Sequence, residues 1–156
     1  MRVTVIAVGT RMPGWVQDGV AEYTKRLPRE INLQWKEIAL ARRGGDVNAL
    51  ICAQREGEKI LSAIPAGDSV ITLDVKGKRL STEALSQQLQ EMLMSGDNYS
   101  LLIGGPDGLS SDCLARAARS WSLSDLTLPH PLVRIVLAEQ LYRAWTITVG
   151  HPYHRA

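Results

Sequence analysis

The chain has 156 residues, of which 45% are apolar, and a formal net charge of +2. These values fit one domain with a sizeable core and argue against disorder. The sequence has no apolar run long enough to cross a bilayer, and Met1–Gly9 is typical of a strand rather than of a signal peptide. Cys52 and Cys113 have neither metal-site nor disulfide spacing, so we expect a cytoplasmic protein without a metal.

Strand and helix patterns alternate along the whole chain. In chain order, the first half predicts strand Arg2–Val8, helix Trp15–Leu27, strand Leu33–Leu40, a basic turn at Arg42–Gly45 and helix Val47–Ile64. The second half predicts strand Ser69–Val75, a loop at Lys76–Lys78, helix Thr82–Met94, strand Tyr99–Ile103, helix Ser111–Ser120, a last strand within Trp121–Leu128 and helix Pro131–Trp145. Since the later strands are continuous apolar runs, we expect a mostly parallel sheet with helices on both faces, in one domain spanning 1–156.

Charge is unevenly placed along the chain. Residues 1–43 have eight Lys/Arg and four Asp/Glu, residues 44–128 have seven and eleven, and residues 129–156 have three and one. The two ends are therefore basic and the middle is acidic. This division is compatible with nucleic-acid contact by the ends, although a solvated mixed surface explains it equally well.

A glycine-rich turn follows the predicted strand Tyr99–Ile103. Gly104, Gly105 and Gly108 surround Pro106-Asp107 before a helix begins, which suits close approach of the backbone to a ligand. The spacing matches neither G-x-G-x-x-G nor a P-loop, so dinucleotide or ATP phosphate binding is not indicated. An ordinary strand-to-helix turn is the alternative interpretation. If the strand Ser69–Val75 neighbours Tyr99–Ile103, its end lies beside this turn.

The C-terminal segment contains all three histidines of the chain. Pro129 and Pro131 constrain the backbone around His130, where a solvent-facing helix start is the plainer interpretation. The following helix has more apolar residues than one buried stripe needs, which predicts a homodimer. The chain then ends on His151-Pro152-Tyr153-His154-Arg155-Ala156, with an imidazole, a phenol and a guanidinium that suit RNA contact, although termini often fray.

Taken together, several segments closely resemble the RlmH family of small SPOUT-class methyltransferases, which act on pseudouridine in large-subunit (23S) rRNA. The resemblance covers essentially the whole chain. It rests on Ala7–Val16, on Leu101–Ser110 with I-G-G-P-x-G-L, on Trp121–Arg134 with L-P-H-P-L-V-R, on the helix to Trp145, and on H-P-Y-H-R at the end.

The resemblance implies an α/β knot, a homodimer with its site near the subunit interface, and S-adenosylmethionine (AdoMet) as cofactor. It implies cofactor contacts at Leu73, Gly104, Gly105, Leu123, Ser124, Asp125, Leu126, Thr127 and Leu128. The residues implied to face the RNA nucleotide are His130, Arg143, Tyr153, His154 and Arg155. We also expect valine at Gly105 to abolish AdoMet binding while leaving the fold largely intact, because a branched side chain would block backbone approach and resist a positive φ.

Methylation at N3 of a pseudouridine requires removal of a proton and alignment of the reacting atoms. A neutral histidine is a plausible base, and Arg143 or Arg155 could hold a phosphate or stabilise the developing anion; the sequence does not decide which residue takes the proton. Two other functions stay open. One is a SPOUT methyltransferase acting on another rRNA position or on tRNA, and the other is a non-catalytic ribosome-binding protein.

Overall fold

The computed structural model describes residues 1–154. Within that range, five strands and five helices alternate. In chain order they are β1 (Arg2–Val8), α1 (Gly14–Thr24), β2 (Asn32–Ile38), α2 (Ala49–Ala63), β3 (Ser69–Arg79), α3 (Thr82–Ser95), β4 (Tyr99–Ile103), α4 (Ser111–Arg116), β5 (Arg119–Ser122) and α5 (His130–Thr148).

The described strands form one sheet in the order β2-β1-β4-β3-β5, and every pairing is parallel. Apolar side chains of each inner strand alternate between the two faces, as the two-residue period of a strand requires. Val3 and Val5 pack with α3 and α5 on one face, whereas Ile6 and Val8 pack with α2 and α4 on the other. The predicted parallel sheet with helices on both faces is confirmed.

Local signals explain where several elements begin and end. The Ser81 hydroxyl accepts a hydrogen bond from the backbone N–H of Ala84 at the start of α3, and Gly96 closes that helix with a φ of 76°. The Asn48 side chain caps α2 by accepting from the N–H of Ile51. Helix α1 ends at Thr24, three residues before the predicted end, and Leu27 follows in a hydrogen-bonded turn.

Two sequence predictions are wrong at the far edge of the sheet. Lys76–Lys78 is not a loop but part of β3, which continues to Arg79 and pairs with β5 through a register shift between Leu73 and Lys78. Gly77 permits this pairing, because a Cβ there would lie 2.8 Å from the carbonyl carbon of Ser120. Helix α4 stops at Arg116 rather than at Ser120, because the chain from Arg119 onward is hydrogen-bonded to β3 as a strand.

Candidate active site

A cavity of about 830 Å³ opens at the carboxyl edge of the sheet. Because the strands are parallel, the segments after β3, β4 and β5 meet at this edge, and the first turn of α5 lies beside them. The volume lies within the roughly 300–1,000 Å³ of small-molecule sites. The lining residues come from the irregular stretch of β3, the glycine turn, helix α4, the loop after β5 and the start of α5: Leu73–Lys76, Ile103–Leu109, Leu114, Leu123, Ser124, Leu126–Pro131 and Val133.

Most residues implied by the family resemblance to hold a cofactor lie on this cavity. The lining set includes Leu73, Gly104, Gly105, Leu123, Ser124, Leu126, Thr127 and Leu128, together with His130. Within the described chain, Asp125 is outside that set, and its carboxylate pairs with Nε of Arg79 at 2.8 Å in a well-exposed contact.

The glycine turn is a tight chain reversal directly after β4. The N–H of Gly108 donates to the carbonyl of Gly105 at 3.0 Å, and Gly108 has a φ of 78°, which favours glycine. A Cβ on Gly104 would lie 2.6 Å from the carbonyl carbon of Gly108 and 2.8 Å from the nitrogen of Leu109. The turn therefore closes on Gly104, and its backbone forms part of the cavity wall.

Gly105 was expected to allow a positive φ and close approach of a ligand, but its contacts lie in the protein interior. Its φ is not in the left-handed region, which Gly108 occupies instead. A Cβ on Gly105 would meet Cγ1 of Val8 at 2.8 Å and Oε1 of Glu56 at 3.1 Å, both of them in the protein interior. A side chain at Gly105 would therefore strain the packing beneath the turn, so we now expect the valine variant to be less stable than the parent protein.

Arg43 anchors the glycine turn to helix α2, a role that no sequence pattern predicted. Its guanidinium lies 2.7 Å from Asp107 in the turn and 3.0 Å from Glu56 in α2. Glu56 is 1% exposed and also accepts a hydrogen bond from the N–H of Ala41. A glutamate on the buried stripe of a helix is the sequence signal for such a partner, because a buried carboxylate requires one.

The loop after β5 is shaped by its own serines. The Ser122 hydroxyl donates to the carbonyl of Ser124 at 3.0 Å, and the Ser124 hydroxyl accepts from the N–H of Leu126 at 2.9 Å. These local bonds hold the loop as a compact turn. Leu126 is 72% exposed, so an apolar side chain faces outward beside the cavity.

His130 is the first residue of α5 and the only histidine that lines the cavity within residues 1–154. Its ring is half-buried, and Nε2 has no hydrogen-bond partner among those residues. Burial, followed by the positive charge of Arg134, lowers the pKa of His130 below its ordinary value. The imidazole is therefore neutral at physiological pH, as a proton acceptor has to be.

The other residues expected to face the RNA nucleotide cluster further along α5. Glu139 accepts hydrogen bonds from Nε of Arg143 at 2.8 Å and from the phenol of Tyr153 at 3.0 Å. Tyr153 also packs on Tyr142, with ring centroids 4.7 Å apart, and beneath the guanidinium of Arg143. The tail as far as Tyr153 is therefore folded back onto α5.

The same contacts set the protonation of the cluster. Burial and the hydrogen bond to Glu139 raise the pKa of Tyr153 to about 12, so the phenol stays protonated near neutral pH. The hydrogen bond to Glu139 raises the pKa of Arg143. His154 is half-buried, and its Nδ1 has no partner within residues 1–154. Arg155 and Ala156 lie outside the described residues.

Within one chain, the cavity and the tail cluster are separate. His130 and Arg143 are thirteen positions apart on α5, which corresponds to about 20 Å along the helix axis. His130 and the tail cluster of the same chain therefore lie at different levels of α5, and Glu139, Arg143 and Tyr153 are not among the residues that line the cavity.

Two kinds of feature are absent from residues 1–154. No group of three or more His, Cys, Asp or Glu side chains in this range is arranged to hold a metal ion. None of the helices in the same range is both long and apolar enough to cross a membrane.

The chain is similar to several proteins of established family. The family model described as "Predicted SPOUT methyltransferase" matches residues 1–154. Proteins named "Ribosomal RNA large subunit methyltransferase H" from Hahella chejuensis and Saccharophagus degradans are 57% and 56% identical, each over 99% of this chain and 99% and 100% of their own length. The similarly named protein of a Marinomonas species is 53% identical over 99% of this chain and all of its own. A crystal structure of TrmJ from Z. mobilis superposes with a TM-score of 0.48 at 16% identity, over 92% of this chain and 70% of that one. By the full-length family match and the identities to these relatives, the chain belongs to the SPOUT methyltransferase family.

Proposed function

We propose that this protein transfers a methyl group from AdoMet to N3 of a pseudouridine in the 23S rRNA of the large ribosomal subunit. The observation that carries the proposal is the cavity at the carboxyl edge, where a glycine turn and an apolar loop face a neutral histidine. Relatives more than half identical over their full length bear the name of a large-subunit rRNA methyltransferase. A protein acting on ribosomes would work in the cytoplasm.

The cavity suits AdoMet in size and in the character of its walls. Its volume is adequate for a nucleoside-sized ligand, and its walls combine apolar side chains with exposed backbone edges. Gly104 lines the cavity, and a Cβ there would have no room beside the backbone of Gly108 and Leu109. We propose that Leu73, Gly104 and the loop Leu123–Leu128 hold the adenosine portion, as the family resemblance implies. When bound, AdoMet supplies a methyl group activated by a sulfonium.

The protein's own part in the reaction is to bind, align and deprotonate the nucleotide. N3 of pseudouridine is a poor nucleophile while protonated, so its proton must move to a base as the new N–C bond forms. His130 is the base we favour, because it is neutral and lines the cavity. Tyr153 remains a phenol and can donate a hydrogen bond or stack on a base, and Arg143 can face a phosphate.

We further propose that the complete site forms between two subunits of a homodimer. The tail cluster is not part of the cavity lining within a chain, and His130 and Arg143 are about 20 Å apart along α5, so a partner's tail would bring the missing groups to the cavity. Exposed or half-buried apolar residues on α5, among them Leu132, Val133, Ile135 and Val136, supply a surface for association. The knotted path of the C-terminal segment, which the family resemblance implies, belongs to the same proposal.

The decisive experiment supplies purified protein and methyl-labelled AdoMet to ribosomes from a strain that lacks the corresponding enzyme. Nuclease digestion and mass mapping of the product should place one methyl group on a pseudouridine of 23S rRNA. Label at another rRNA position or in added tRNA would contradict the proposed substrate and identify the labelled RNA as the substrate instead. Absence of label together with absence of AdoMet binding in calorimetry would favour a non-catalytic ribosome-binding protein.

Ribosomal particles rather than naked RNA are the expected substrate. The chain has a net charge of only +2, and a 156-residue body offers little surface for electrostatic capture of isolated RNA. We therefore expect methylation of free large subunits or assembled ribosomes, compared side by side, and negligible turnover on a short single-stranded oligonucleotide. Efficient turnover on the oligonucleotide would contradict this part of the proposal.

A further inference from the structure

His130 and Arg134 converge on the same backbone position at the end of β1. A Cβ built on Gly9 would lie 2.9 Å from Nε2 of His130 and 3.3 Å from Nη2 of Arg134. Gly9 also has a φ of 117°, a conformation that L side chains rarely adopt. The imidazole and the guanidinium therefore both lie close to Gly9, and they come from successive turns of one helix face.

Arg134 is held in place from three directions. Its side chain is 4% exposed, its Nη1 lies 2.6 Å from the Glu37 carboxylate, and its Nη2 donates to the carbonyl of Gly9 at 2.8 Å. A longer contact of 3.4 Å reaches the carbonyl of Val8. These bonds tie the first turns of α5 to the ends of β1 and β2. Few other orientations of the guanidinium would satisfy a buried charge as well.

The arrangement restricts what His130 can do. Its Nε2 is buried without a partner among residues 1–154, so a nucleotide in the cavity could reach only the other ring nitrogen, Nδ1. A proton on the ring would place a second cation beside Arg134 in a poorly solvated location.

We infer that Arg134 positions His130: it anchors the start of α5 so that the imidazole rests against Gly9 with Nε2 buried and Nδ1 available to the nucleotide. Arg134 also opposes protonation of the ring by its charge. This inference rests on the proposed function, because it assigns Arg134 a part in the work of His130. Arg134 itself is not placed in contact with the nucleotide.

Other charged residues share the cavity with His130. The charged residues lining the cavity are Asp74 and Lys76 on β3 and Asp107 in the glycine turn. Glu37 on β2 pairs with Arg134, so it offsets part of the guanidinium's effect on the ring. Removing Arg134 alone should therefore raise the pKa of His130, since it deletes a cation and leaves the Glu37 carboxylate without its partner.

The first test follows the His130 ring by NMR titration of the dimer without RNA. Arg134→Gln should raise the pKa of His130 part of the way toward its ordinary value, since burial of the ring remains, and Arg134→Lys, which keeps the charge, should leave it low. Glu37→Gln is the matched control, because it breaks the same ion pair but retains the cation, so it should not raise the pKa. An unchanged titration in folded Arg134→Gln would overturn the inference. If that variant does not fold, a raised pKa in Arg134→Lys would overturn the assignment of the effect to charge.

The second test measures methyl transfer to ribosomes. Arg134→Lys should lower kcat about tenfold or more with little change in the KM for AdoMet, and it should have no further effect when His130→Gln is already present. Because the neutral ring is the active form, activity falls as pH drops through the pKa of His130, and Arg134→Gln should move that limb to higher pH. Additive effects of the two substitutions would contradict a positioning role.

The two tests separate this inference from the proposed function. A shifted titration in an enzyme that methylates no rRNA would support the positioning of His130 and defeat the proposed function. Full rRNA methylation in Arg134 variants, together with an unshifted pKa of His130, would support the proposed function and defeat the positioning role of Arg134.

Discussion

A Cβ on Gly104 would lie 2.6 Å from the carbonyl carbon of Gly108, closer than real Cβ atoms approach. Gly104 directly follows β4, and Gly108 ends the turn with a positive φ. The pair therefore closes a loop that no side chain at Gly104 could enter without moving backbone. This closure shapes one wall of the cavity, so the cavity depends on a glycine for steric reasons that lie within the protein itself.

Alanine at Gly104 should weaken AdoMet binding at least tenfold, which corresponds to about 1.4 kcal/mol. The turn would have to open to make room for the alanine side chain, and the cavity wall would shift with it. Calorimetric titration with AdoMet measures the effect. Gly14→Ala is a matched control, because a Cβ there meets nothing within 4 Å and the residue lies in α1. Equal affinity in the two variants would remove the glycine turn from the cofactor site.

Valine at Gly105 should destabilise the fold in addition to any effect on the cofactor. Its side chain would press on Val8 and Glu56, and overpacking of this kind costs about 1–3 kcal/mol. Thermal unfolding without AdoMet should show a lower Tm than the parent protein. A parental Tm combined with lost AdoMet binding would restore the simpler expectation drawn from the sequence.

Alanine at Arg43 should lower the free energy of unfolding by about 2 kcal/mol, since it strips a charged partner from the buried Glu56 carboxylate. It should also loosen the glycine turn, because the contact with Asp107 is lost. Urea unfolding and AdoMet titration measure the two effects. Arg42→Ala removes a neighbouring exposed cation and should change stability by less than about 0.5 kcal/mol.

The protein should be a homodimer in solution at micromolar concentration. Helix α5 has buried residues such as Leu137 and Leu141 toward the sheet and further apolar residues that this chain leaves partly exposed. Leu132 is 40% exposed, which suits a surface covered by a second copy. Sedimentation equilibrium is the direct measurement, and a monomer would defeat both the dimer and the shared site.

Removal of residues 153–156 should abolish methyl transfer while sparing dimerisation and most of the AdoMet affinity. Tyr153 packs on Tyr142 and Arg143 at the surface of α5, so its loss leaves the sheet and the cavity untouched. Labelled-methyl incorporation, AdoMet calorimetry and sedimentation of the truncated protein report the three properties. Methylation at the parental rate would show that the tail is dispensable.

Single substitutions in the tail should separate its roles. His154→Ala should mainly lower the rate at saturating RNA if His154, rather than His130, accepts the proton. Arg155→Ala should mainly weaken RNA binding and make its salt dependence shallower. Tyr153→Phe keeps the ring but loses the bond to Glu139, so a strong effect on the rate would point to the hydroxyl and a weak one to stacking.

Much of the fold could be predicted because its signals are local. The apolar runs of β1 and β4 each act within a few residues, and both strands lie at their predicted bounds, Arg2–Val8 and Tyr99–Ile103. Helix α3 begins at the predicted Thr82 for the same reason. The ends of β3 and α4 were misplaced for the opposite reason. Whether residues 76–79 and 119–122 form strands depends on their pairing with each other, which neighbours in the sequence do not reveal.

Some features of the candidate site could likewise be predicted from the sequence, and others could not. By itself, the sequence determined the parallel α/β architecture, the glycine turn, the segment around His130 and the family, because these reside in contiguous motifs. Only the tertiary structure decided that Gly105 faces Val8, that Arg43 joins Glu56 to Asp107, and that Arg134 and His130 meet at Gly9. Each of those contacts joins segments brought together by the sheet and its helices, and burial then makes their partners obligatory, because an unpaired charge or a misplaced methyl group is costly in a packed interior.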